Sequence, residues 1–145
     1  MKTKTLTLLI LSGLTAGTAH AQSTFKTCTY DQIIDMKQRA KEINLSKESE
    51  FNTQYGSFES IKVTGCNVYE QHTIAIKDLN TIAQATGQEA IDLTKLAERY
   101  VVHLKNHHTD LNMSTAFWFH SKDKGEFLFA IDYDHKGNLL SVETK

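Results

Sequence analysis

TAFWFHSKDKGEFLFAIDYDHKGNLLSVE, from Thr115 to Glu143, is three apolar runs separated by two polar loops, each loop with a glycine near its end. Phe127, Phe129, Ile131 and Tyr133 alternate with Leu128, Ala130 and Asp132. Aromatic and branched residues at a spacing of two, bounded by turn residues, mark a strand. Ser121–Gly125 and Asp134–Asn138 each place a glycine where a hairpin loop needs a positive φ. The stretch therefore predicts a three-stranded antiparallel meander, with Phe127 on the face of Phe129.

Upstream, Thr29-Tyr-Asp-Gln32 is a capping box, and Tyr30, Ile33, Met36, Ala40 and Ile43 recur three and four apart. A helix is predicted from there to about Leu45. Phe58–Val63 and Val68–Lys77 read as two strands joined around Gly65 and Asn67, with Thr73–Ile76 apolar on both faces of the second. Asp78–Ala85 reads as a short helix stopping at Gly87, and Thr86-Gly-Gln-Glu89 as a capping box for the next. From Ala90 to Leu111 a helix is predicted whose stripe is Leu93, Ala97, Tyr100, Leu104 and Leu111, flanked by Leu96 and Val101. Ile91 and Val102 fall opposite that stripe. Proline is absent from the chain, so its turns rely on Gly, Asn, Asp and Ser.

Residues 1–21 carry the pattern of a secretory signal. Lys2 and Lys4 precede an apolar run, Leu6 to Leu14, too short for a membrane span, and Ala19-His20-Ala21 offers a small-x-small cleavage site. Cleavage after Ala21 leaves residues 22–145 as a single domain in the periplasm or outside the cell. The alternative is an N-terminal membrane anchor. The whole chain has 16 basic against 17 acidic residues, and the leader removes two of the lysines. A mildly acidic chain without a run of Lys or Arg is not suited to nucleic acid or to an anionic membrane.

Cys28 and Cys66 are the two cysteines of the chain. In an exported protein they predict one disulfide, from the start of the first helix to the loop between the first two strands. Closing a loop of about 38 residues is worth roughly 4 kcal/mol on chain-entropy grounds. There is no Cys-x-x-Cys spacing for redox work.

The chemistry-bearing residues are sparse. His103 and His107 stand four apart in the last predicted helix, on one side, with Asp110 near them and His108 turned away. With His120 they form the candidate metal-ligand set, against a His-rich helix end as the plain alternative. The glutamate of a His-Glu-x-x-His metalloprotease is missing. Asp132–Asn138 resembles a calcium loop only superficially: Lys136 occupies a ligand position and no helix flanks it. No Gly-x-Ser-x-Gly, phosphate loop or dinucleotide loop occurs, and no cofactor is implied. Acids that converge only in the fold remain a possible enzyme site.

Phe117-Trp118-Phe119 puts one aromatic residue opposite two others. With helices on one face of the sheet, either Trp118 or the phenylalanine pair needs cover from elsewhere: the first helix, or a partner.

The expected architecture is α+β, an antiparallel sheet of hairpin plus meander packed against two main helices. Its order and size are similar to the cystatin/NTF2-like rolls. The leading functional expectation is an exported protein-binding module, an inhibitor or immunity-type protein that blocks a toxin or hydrolase, with Phe117, Trp118 and Phe119 as contact residues. Two others stand beside it: a carrier of a small ligand or divalent metal, using a sheet pocket or the histidines, and an enzyme with convergent acids.

Overall fold

The computed structural model describes residues 27–145; the signal segment expected at 1–21 lies outside the described residues. The order is α1 (Tyr30–Ser46), β1 (Gly56–Thr64), β2 (Asn67–Ile74), α2 (Ile76–Ala85), α3 (Leu93–Leu104), a 3-10 turn (Thr109–Leu111), β3 (Ser114–Ser121), β4 (Phe127–Tyr133) and β5 (Leu139–Thr144). The fold is α+β.

Thr29 opens α1 as its residues predict: its hydroxyl accepts from the Gln32 amide while the Gln32 side chain accepts from the Thr29 amide. The second capping box does not form. Thr86 instead ends α2, where Gly87, at φ 72°, adopts the left-handed region. The Gln88 amide bonds the Ala83 carbonyl and the Gly87 amide the Gln84 carbonyl, the paired bonds of a Schellman stop. Asp92 caps α3, accepting from the amides of Thr94 and Lys95.

The predicted helix from Ala90 to Leu111 is therefore shorter at both ends. Asn106, His108 and Asn112 all take positive φ, which breaks the α-helical ladder after Leu104. Thr73–Ile76 is likewise divided, since β2 stops at Ile74 and α2 begins at Ile76.

The strands form one sheet in the order β1-β2-β3-β4-β5. The β1–β2 hairpin and the β3–β4–β5 meander are antiparallel within themselves, as expected. They join through a parallel β2–β3 pair, which α2 and α3 connect, so the sheet as a whole is mixed.

Residues paired across strands share a face, so the register maps both faces. One face carries the row Phe58, His72, Phe119, Phe129 and the row Ile61, Glu70, Phe117, Ile131. All the helix packing lies here. Met36 and Ala40 of α1 meet Phe58, Ile61 and Val68, with Leu111 and Met113. Ala97 and Leu104 of α3 meet Phe117, Phe119, Phe129 and Ile131. Phe117, Phe119, Phe129 and Ile131 have at most 1% of their surface exposed. The predicted helical stripes are thus the real ones, except that Tyr30 is exposed and Leu111 joins the α1 core.

Cys28 and Cys66 are disulfide-bonded, tying the start of α1 to the β1–β2 turn. Among the described residues no helix is long and apolar enough to cross a membrane.

Candidate functional site

The opposite face of the sheet has no helix against it among the described residues. Two cross-strand rows define it. The first runs Lys62, Tyr69, Ala116, Asp132, Ser141, and the second Ser60, Gln71, Trp118, Ala130, Glu143. Trp118 is 43% exposed and Tyr69 40%. They stand diagonally on the parallel pair β2–β3, beside a small-residue floor of Ala116 and Ala130.

A slip in the β3–β4 register extends this aromatic surface. Phe119 pairs with Phe129 but its neighbour His120 pairs with Phe127, so Leu128 is an extra, bulged residue. The bulge reverses the alternation locally. Leu128 turns inward to the core, and Phe127 turns out beside Trp118, ring centroids 6.0 Å apart, and His120, 6.1 Å apart. Strict alternation had placed Phe127 with Phe129. One unpaired residue overturns that placement, because the side-chain period is two.

Of Phe117, Trp118 and Phe119, then, only Trp118 is exposed. Phe117 and Phe119 are sealed under α3. Tyr69 and Phe127 share the open face with Trp118. The strand sequence Val-Tyr-Glu-Gln-His-Thr-Ile at 68–74 held the signal for Tyr69: Val68 and Ile74 share a parity, so Tyr69, Gln71 and Thr73 must face the other way.

Ser60, Lys62, Thr64, Tyr69, Gln71 and Trp118 line a shallow concavity of about 490 Å³ on this face. Its walls are aromatic or hydrogen-bonding, with no aliphatic residue. Lys62 has no ion-pair partner among the described residues, and Asp132 accepts a hydrogen bond from the Ser141 hydroxyl at 2.9 Å.

The helix-covered face holds a second, enclosed polar group. Glu70 and His72 are 4% and 2% exposed. The His72 ring stacks on Phe119 at 5.2 Å and meets Phe58 and Phe51 edge-on at 5.7 and 5.9 Å. Burial among these rings holds His72 below its usual range, although the Glu70 charge works the other way. His108 Nε2 lies 3.7 Å from Glu70 Oε2, and neither atom has a hydrogen bond; His72 Nε2 has none either. His107 Nε2 lies 3.0 Å from Glu50 Oε1 on the outer side, while the ring packs on Phe51 and Phe117.

The structure does not bring His103, His107 and His120 together. His103 is an exposed residue of α3, His107 lies after the helix end and against the covered face, and His120 belongs to the open face. The sheet stands between the last two. Among the described residues no three His, Cys, Asp or Glu side chains are grouped to hold a metal ion. Nor are two carboxylates buried together, Glu70 being the buried acid among the described residues. The Asp134 loop is a hairpin turn, in which one carboxylate oxygen accepts from the amides of Lys136 and Asn138.

No protein-family model matches the chain, and no curated protein matches it. Among solved structures it is similar to a Pseudomonas aeruginosa protein inferred to be secreted. The TM-score is 0.49 and the identity 6%, over 72% of this chain and 90% of the other.

Proposed function

We propose that this chain is a small exported binding module, of the inhibitor or immunity type, which docks another protein on the open face of its sheet. Export is supported by the signal-like leader and the Cys28–Cys66 disulfide, and it fits the absence of a membrane-crossing helix among the described residues. The observation that carries the docking reading is the exposure of Trp118 on a sheet face that no described element covers. Trp and Tyr are the residues in which interface energy concentrates, since each buries a large rigid surface at small entropic cost. Tyr69, Trp118 and Phe127 make such a cluster, ringed by Ser60, Lys62, Gln71 and Asp132 as a polar rim.

The test is affinity capture from a periplasmic extract of the host, with the disulfide-bonded mature chain as bait. A specific partner retained by the native chain and lost by Tyr69→Ala/Trp118→Ala is the expected result. A partner retained equally by both would place the interface elsewhere and overturn the reading.

A further inference from the structure

The two edges of the sheet, β1 and β5, are finished differently. Along β1, side chains of α1 and of the segment after it occupy the backbone. Asn44 bonds both the amide and the carbonyl of Ile61, at 2.9 and 2.8 Å. Asn52 accepts from the Phe58 amide at 2.8 Å, Thr53 from the Gly56 amide at 2.9 Å, and the Lys47 ammonium donates to the Glu59 carbonyl. Cover of this kind keeps another strand from adding to that edge. β5 has no such cover among the described residues. Its side-chain bonds, Ser141 to Asp132 and Lys145 to Glu126, run back into the same chain.

The open backbone groups of β5 follow from its pairing. The Lys145 amide bonds the Leu128 carbonyl at 3.0 Å, and bonded and non-bonded pairs alternate along an antiparallel ladder. Phe129–Thr144 and Ile131–Val142 are therefore non-bonded pairs, and the amides and carbonyls of Val142 and Thr144 point away from β4. The same strand exposes Leu140 by 64%, Leu139 by 48% and Val142 by 40%. An open edge that also carries apolar side chains is suited to receiving another strand.

We propose that β5 pairs antiparallel with β5 of a second copy of this chain, about a two-fold axis, joining the two sheets into one. A two-fold interface must be complementary to itself. This edge is: antiparallel strands set N–H against C=O in both directions, and the exposed side chains that meet are apolar. With Val142 of one copy opposite Val142 of the other, Thr144 meets Leu140 and Glu143 meets Ser141, so the outward groups of Val142 and Thr144 all fall within the paired strands. Sliding the pairing until Glu143 met Glu143 would set like charges opposite each other. Val142 lies on the face of Ile131, so the helices of both copies stand on one side of the joined sheet and both open faces on the other. The inference is independent of the docking reading, whose Tyr69 and Trp118 lie on β2 and β3.

Sedimentation equilibrium of the oxidised mature chain, from about 1 μM to 1 mM, tests it. A monomer–dimer equilibrium is expected within that range. Val142→Pro removes an outward amide that β4 does not use, at an edge position that tolerates proline. By symmetry two hydrogen bonds go at once, so the dissociation constant should rise at least about tenfold while circular dichroism stays native. Val142→Lys and Val142→Glu make a second test that needs no proline. Each alone should be monomeric, and the equimolar mixture should recover the dimer, because the axis sets position 142 against itself. A native chain that is monomeric throughout the range overturns the inference. So does a dimer that all three variants leave unchanged, or a mixture of folded lysine and glutamate variants that does not associate. A dimer weakened by Trp118→Ala and indifferent to Val142 would place the contact on the open face, and also overturns it.

Discussion

The buried histidine makes the folding stability depend on pH in a defined direction. Four aromatic rings surround His72, from Phe51, Phe58, Phe117 and Phe119. The ionisable groups acting on it are Glu70 on its own strand, Glu59 on β1 and His107 on the connector after α3. Burial outweighs the two acids and lowers its pKa from the ordinary value of 6.5. Below that value the unfolded chain takes up a proton that the folded chain refuses. The unfolded state then binds more protons, so stability is complete above pH 6.5 and falls as the pH drops through it. While the folded ring stays neutral the slope approaches about 1.4 kcal/mol per pH unit, a ceiling of about 2 kcal/mol at pH 5. At roughly 4 °C per kcal/mol, the thermal midpoint would move by up to about 8 °C. Urea unfolding of the native chain and of His72→Leu between pH 8 and pH 5 measures this, because the leucine variant lacks only the one titration. The stability difference between the two should shift in favour of the variant as the pH falls. Parallel pH profiles, or a shift in favour of the native chain, would refute the reasoning, since folded His72 would then take up its proton at least as readily as the unfolded chain does.

Three further perturbations follow from the faces of the sheet and its turns. Phe119→Ala, on the covered face, should cost about 3–5 kcal/mol in chemical denaturation, while Trp118→Ala, its neighbour on the open face, should cost well under half of that. Similar losses at both positions would mean that the open face is covered after all. Gly137→Ala should destabilise by about 1–2 kcal/mol in the same assay, because Gly137 has φ 81° and a methyl group there would collide with the Asn106 side chain. An unchanged midpoint would mean that the Asp134–Asn138 turn is free to adopt another form.

The architecture was legible in the residues wherever the physics is local. Thr29 and Gln32 make a cap with each other, and hydrophobic spacing along α1 and α3 marks the faces that meet the sheet. The meander is bounded by its two glycine loops, and two cysteines leave one possible internal pairing. Each of these depends on residues a few positions apart, or on simple counting. The ends of α3 were less legible, because the apolar spacing carries on to Leu111 while Asn106, His108 and Asn112 turn left-handed in the fold.

Properties of the sheet as a whole belong to the tertiary structure. That β2 runs parallel to β3, and so sets Tyr69 diagonal to Trp118, depends on residues brought together across the α2–α3 crossover. The bulge at Leu128, which carries Phe127 to the open face, is set by the register of β4 against β3, which alternation along β4 alone does not show. Glu70 and His72 read as surface residues by type, yet Val68 and Ile74 on the same side of β2 carry them into the interior. Sequence alone placed Trp118 opposite its phenylalanine neighbours, since strand side chains alternate. Which side faced water was decided by where the helices packed.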